Sequence, residues 1–84
     1  MKLKGKTVLI TGGGTGLGMA IAQRFVNDGA KICITGRRRE KLEQTARTLP
    51  KGSVVICPGD VSKENDVKRM VETALEFGGK LDVL

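Results

Sequence analysis

Histidine, tyrosine and tryptophan are absent from this 84-residue chain, and phenylalanine occurs only twice. Those absences remove the commonest general base, the phenolic acid, and most of the aromatic surface on which nucleic-acid bases stack. Any catalysis within these residues falls to Ser, Lys, Asp or Glu. Long apolar runs are missing too: none exceeds four residues, Val54-Val55-Ile56-Cys57 among them, against the roughly 18 that a membrane-spanning helix needs. The basic opening Met1-Lys2-Leu3-Lys4-Gly5-Lys6 resembles the start of a secretory leader. Only Val8-Leu9-Ile10 follow before Thr11 and Gly12, however, so no secretory core is present. The expected compartment is the cytoplasm, with no membrane partner. Cys33 and Cys57 have no metal-ligand spacing and sit in apolar, strand-like runs, which predicts buried free thiols. What is present argues for a globular fold, since 39% hydrophobic residues in a mixed-charge chain of net +6 lie outside the regime of disorder.

The pattern alternates strand and helix. Lys6-Thr7-Val8-Leu9-Ile10-Thr11 is rich in β-branched residues and too apolar for half exposure, so it reads as a buried strand. From Thr15 to Asp28, Leu17, Ile21 and Phe25 recur every four residues and Gly29 stands where a helix C-terminal glycine belongs. Lys31–Thr35 is a second buried strand, closed by Gly36. Leu42, Ala46 and Leu49 mark a second helix, ended by Pro50 and Gly52. Ser53–Cys57 is a third strand. Val67, Met70, Val71, Ala74 and Leu75 define a third helix that Gly78-Gly79 stop, with Ser62 the expected N-cap and Glu64 and Asp66 in the first turn. Leu81-Asp82-Val83-Leu84 then opens a fourth strand.

Short connections between such elements imply right-handed crossovers and a Rossmann-type, doubly wound parallel α/β sheet, of which these residues form a β-α-β-α-β-α-β portion. In strand order 3-2-1-4 the last strand would expose an apolar edge. A chain of this size buries only about 60–65% of its unfolded surface. Residues 1–84 are therefore expected to be the N-terminal part of one larger domain.

Thr11-Gly12-Gly13-Gly14-Thr15-Gly16-Leu17-Gly18 lies between the first strand and first helix, where loop amides and the helix N-terminus face outward together, a geometry suited to a pyrophosphate. Gly12 permits the turn out of the strand, Gly16 lets phosphate oxygens approach the backbone, and Gly18 lets the helix pack closely. The spacing is neither G-x-G-x-x-G nor that of a Walker loop. A flexible glycine turn is the competing reading.

Thr11-Gly12-x-x-x-Gly16-x-Gly18, Asp60-Val61 after the third strand, and Leu81-Asp82-Val83-Leu84 together resemble the short-chain dehydrogenase/reductase family over essentially the whole chain. The resemblance implies a nicotinamide dinucleotide as cofactor, held at its pyrophosphate by Gly12, Gly14, Thr15, Gly16, Leu17 and Gly18. It implies that Asp60 and Val61 hold the adenine, with Asp60 accepting from the amino group. An NAD site places a carboxylate after the second strand to accept from the ribose 2′-hydroxyl. This chain has Gly36-Arg37-Arg38-Arg39 there, and a guanidinium matches a phosphate in geometry and charge. By the resemblance Arg37 meets the 2′-phosphate of NADP and Arg38 stacks on the adenine or adds a second contact, so NADP(H) is favoured over NAD(H). Thr15 departs from the basic residue that many NADP-preferring relatives carry at that position. A solvated basic helix start is the competing reading of the arginines.

Residues 1–51 carry a net charge of +8 and residues 52–84 a net charge of −2, so positive charge lies with the phosphate loop and the arginine cluster. Without an aromatic platform or an extended basic stripe, nucleic acid is not an expected partner. The family's catalytic tyrosine, lysine, serine and asparagine cannot be assigned here. The implied function is the dinucleotide-binding half of an NADP-dependent oxidoreductase, which transfers hydride to a carbonyl or activated alkene of a small-molecule substrate. Alone, these residues are expected to be inactive. The resemblance also implies a homodimer or homotetramer at full length. A non-catalytic NADP-binding sensor is the alternative, and a Tyr-x-x-x-Lys motif in a continuing chain would distinguish the enzyme from it.

Overall fold

A computed structural model describes residues 3–82. Three strands and three helices alternate: β1 (Thr7–Thr11), α1 (Gly16–Asn27), β2 (Lys31–Gly36), α2 (Arg39–Arg47), β3 (Val54–Pro58) and α3 (Glu64–Gly78). The strands form a parallel sheet in the order β1-β2-β3, with Val8 beside Ile32 and Ile32 beside Val54. All three strand ends that precede a helix therefore lie at one end of the sheet.

Both faces are covered, which explains why the strands read as continuous apolar runs. Val8, Ile10, Ile32 and Ile34 point to the face carrying α1 and α2, where Ala22, Ala30, Leu42 and Leu49 complete the core. Leu9, Cys33 and Cys57 point the other way, against Met70 and Ala74 of α3. Both cysteines are buried free thiols, as expected. Burial, and the neighbouring Cys57 secondarily, pushes the Cys33 thiol up to about 12.

The docking face of α1 and the cap of α3 both depart from what residue type alone suggests. Leu17 and Ile21 are 74% and 38% exposed, whereas Gly18 and Ala22 are the buried positions of α1. The helix packs through its smallest residues because that brings its backbone close to the strands; the large apolar side chains one position earlier are carried outward. Ser62 does not cap α3. Its amide and hydroxyl both donate to Asp60 Oδ1, at 2.9 and 2.7 Å, and Lys63 takes the cap position without a side-chain bond. The nearer carboxylate wins the hydroxyl from the helix.

At its other end α3 stops at Gly79, which is left-handed (φ 79°) and donates its N–H to the Leu75 carbonyl. The chain then returns to the free edge of β1: the Asp82 N–H donates to the Thr7 carbonyl at 2.9 Å, and the Thr7 N–H to Asp82 Oδ2 at 2.8 Å. This is where the order 3-2-1-4 puts the fourth strand. Val83 and Leu84, half of that expected strand, lie outside the described residues.

Candidate functional site

The glycine loop is built almost wholly from backbone. Gly12 leaves β1 with φ 72°, a conformation that L side chains rarely adopt. Its carbonyl accepts from the Thr15 N–H at 3.1 Å and from Thr15 Oγ1 at 2.9 Å. Thr15 Oγ1 in turn accepts from the Gly18 N–H at 3.0 Å, making Thr15 the N-cap of α1. A Cβ on Gly18 would collide with the Gly12 carbonyl, so the helix start and the strand end are in direct backbone contact. Gly16 has nothing within 4 Å of where its Cβ would stand. The loop thus presents a helix N-terminus to open space, with the partial positive charge that attracts phosphate.

Two contacts fix the loop from beneath. The Gly13 N–H donates to the Thr35 carbonyl at 3.0 Å, and the buried Thr45 hydroxyl of α2 donates to the Gly13 carbonyl at 2.8 Å. Sequence reasoning missed Thr45, because a threonine in mid-helix is unremarkable until the fold sets it under the loop. A cleft of about 280 Å³ opens above, lined by Gly12, Gly14, Thr15, Gly36, Arg37, Arg38, Lys41 and Leu42. Five of the sequence-derived site residues meet there: Gly12, Gly14, Thr15, Arg37 and Arg38. Lys41, in the first turn of α2, joins them unanticipated. Among the described residues no carboxylate lines the cleft.

Asp60 lies next to it. Arg37 Nη2 is 3.7 Å from Asp60 Oδ1, and the Gly59 N–H donates to the Gly36 carbonyl at 2.8 Å, so the ends of β2 and β3 are joined at the site. The two Ser62 donors, and Arg37 less strongly, hold the Asp60 carboxyl below the usual carboxylate range. Oδ1 takes all of these partners, and among the described residues Oδ2 accepts from none. Of the remaining expected residues, Leu17 and Val61 are exposed, at 74% and 56%, and neither lines the cleft. Gly18 is buried beneath the loop and acts through packing. Among the described residues no cluster of His, Cys, Asp or Glu could hold a metal.

A glycine loop at a strand-to-helix turn, an arginine cluster after the second strand and an aspartate after the third meet at one end of a Rossmann-type sheet. The short chain dehydrogenase family model matches residues 6–84, and the chain belongs to that family. Glucose 1-dehydrogenase from Gluconobacter oxydans is 44% identical, in an alignment that spans 99% of this chain and 32% of that protein. 11-beta-hydroxysteroid dehydrogenase-like 2 from Arabidopsis thaliana is 42% identical, over 95% of this chain and 27% of its own length. The crystal structure of 3-ketoacyl-(acyl-carrier-protein) reductase from Brucella melitensis complexed with NADH superposes with a TM-score of 0.90 at 40% identity. That match covers 96% of this chain and 33% of the reductase. The chain spans about a third of the length of the curated relatives it matches.

Proposed function

We propose that this chain is the dinucleotide-binding part of an oxidoreductase that uses NADP(H) in preference to NAD(H). Membership of the short chain dehydrogenase family supports a nicotinamide dinucleotide, and the charge around the cleft supports the 2′-phosphate. The observation that carries the preference is that Arg37, Arg38 and Lys41 line a cleft with no carboxylate among the described residues. An acid at the end of β2 would accept from a ribose 2′-hydroxyl and repel a 2′-phosphate. Here the guanidiniums offer that phosphate charge and planar hydrogen-bonding geometry instead.

The residues present fit such a cofactor. Amides at the start of α1 would hold the pyrophosphate, with open space for it at Gly16, and the uncommitted Oδ2 of Asp60 would accept from the adenine amino group. The nicotinamide supplies hydride transfer when bound. This chain's residues anchor and orient the adenosine end. The chain has no tyrosine, so the proton exchanged with a carbonyl or alkene substrate is assigned to residues outside this sequence. A cytoplasmic homodimer or homotetramer belongs to the same reading. Among the described residues, no helix is long and apolar enough to cross a membrane.

The test is a titration of the full-length protein with NADPH and NADH. Arg37→Asp is expected to weaken NADPH binding by about 100-fold, from loss of a charge-assisted contact and gain of repulsion, and to leave NADH within a few-fold. Equal losses for the two cofactors would refute the assignment of the 2′-phosphate to Arg37. The related reductase complexed with NADH makes this comparison necessary.

A further inference from the structure

We infer that Asp66, in the first turn of α3, is a positioning residue for nucleotide recognition: its carboxylate fixes the loop after β3 so that Asp60 faces Arg37 and the base together. The inference rests on the dinucleotide reading and extends it to residues that touch no ligand.

Asp66 reaches out of its own helix. Its Oδ2 accepts from the backbone N–H of Asp60 at 2.8 Å, and its Oδ1 accepts from Arg69 Nη1 at 3.1 Å. Arg69 Nη2 continues to the Pro58 carbonyl at 2.5 Å. The carbonyl of residue 58 and the amide of residue 60 are thus both gripped from α3 by one linked acid and base. Gly59 sits between them, and the space a side chain there would need is filled by the brace itself. A Cβ would stand 2.8 Å from Arg69 Nη2, 2.8 Å from Met70 Cε and 3.3 Å from Asp66 Oδ2. From the other side the Gly59 N–H is tied to the carbonyl of Gly36, the residue before Arg37.

The backbone of residue 60 therefore has no freedom to turn while the brace holds. The Asp60 carboxylate inherits that orientation, with Oδ1 toward Ser62 and Arg37 and Oδ2 left over. A simpler role for Asp66 is to complement the α3 dipole, which Glu64 in the same turn also does. That role leaves unexplained why one of its oxygens is spent on an amide six residues upstream. The Asp60 amide, and then Arg69, hold the Asp66 carboxyl below the usual range, so at neutral pH it is a charged acceptor, the stronger kind.

The experiment compares Asp66→Ala and Asp66→Asn in the full-length protein, by NADPH and NADH titration alongside thermal melting. Asparagine keeps an oxygen for the Asp60 amide; alanine does not. Asp66→Ala is expected to weaken NADPH binding roughly tenfold, the scale of one charge-assisted hydrogen bond, and to lower the NADPH-to-NADH preference because Arg37 loses its fixed partner. Asp66→Asn should recover most of that loss. Unchanged NADPH binding in a folded Asp66→Ala protein would overturn the inference, as would an equal loss in both variants. If the alanine variant does not fold, Arg69→Gln substitutes for it: a loss of several-fold in NADPH affinity supports the brace and wild-type affinity overturns it. A wild-type protein that binds neither cofactor would instead refute the dinucleotide reading and this inference with it.

Discussion

The loop after β1 and the loop after β3 serve the same end of the sheet, yet they are held by different means. The first is backbone locked on backbone: Gly12 against Gly18, Gly13 against Thr35, with the Thr15 side chain closing the turn locally. The second is held by charged side chains reaching back from a helix, with Asp66 and Arg69 gripping residues 58 to 60. A backbone lock tolerates no added volume and has no titratable part. A side-chain brace tolerates small changes in shape and carries titratable groups. The two loops should therefore fail under different perturbations.

Added volume separates them most strongly. Gly18→Val is expected to cost at least about 3 kcal/mol, at or above the range for forcing atoms into packed structure, because its Cβ would occupy the place of the Gly12 carbonyl and neither backbone can move aside. Gly16→Ala, two residues earlier and with nothing nearby, is the control. It should melt close to wild type. Denaturant unfolding checks the pair, and a Gly18→Val protein as stable as Gly16→Ala would show that the backbone contact does not hold this loop. A smaller effect is expected from the single side chain beneath it. Thr45→Val keeps the volume but leaves the buried Gly13 carbonyl without its donor, which costs about 1–3 kcal/mol. A loss under about 0.5 kcal/mol, the usual scatter of neutral substitutions, would mean that the hydroxyl is dispensable.

The same contrast explains what could be read from the chain. Strand positions were legible because Val8 to Ile10, Ile32 to Ile34 and Val54 to Cys57 are apolar on both faces, as a sheet covered twice requires. The glycine loop was legible because its bonds join neighbours, and glycine at fixed spacing marks backbone contact. The outward display of Ile21 was not legible. Periodicity shows that a helix has an apolar stripe, but a helix docked through Gly18 and Ala22 puts its smallest residues inward. Nor was the brace legible, for a bond between Asp66 and the amide of Asp60 follows no helical spacing. It exists only once α3 has folded back beside β3. Ser62 was misread for a related reason, since the side chain that diverts it is specified by the turn and not by the helix it precedes.

Ionisation gives the smallest effect and tests the comparison from the other side. The Asp60 carboxyl has its pKa lowered in the folded protein, chiefly by the donors of Ser62, so the folded state binds its proton less readily than the unfolded chain does. By linkage, the stability this group contributes is present above the unfolded carboxylate value of about 4 and is lost as pH falls through the lower folded value. Asp60→Asn removes the charge and keeps the shape. Wild type should therefore exceed Asp60→Asn in unfolding free energy at pH 6, and the difference should close as pH is lowered below about 4. The deficit of Thr45→Val should not close, because the Gly13 carbonyl and its donor do not titrate. Denaturant unfolding of the three proteins between pH 6 and pH 3 decides it. Parallel curves for wild type and Asp60→Asn throughout that range would show that the Asp60 charge adds nothing to the stability of the loop after β3.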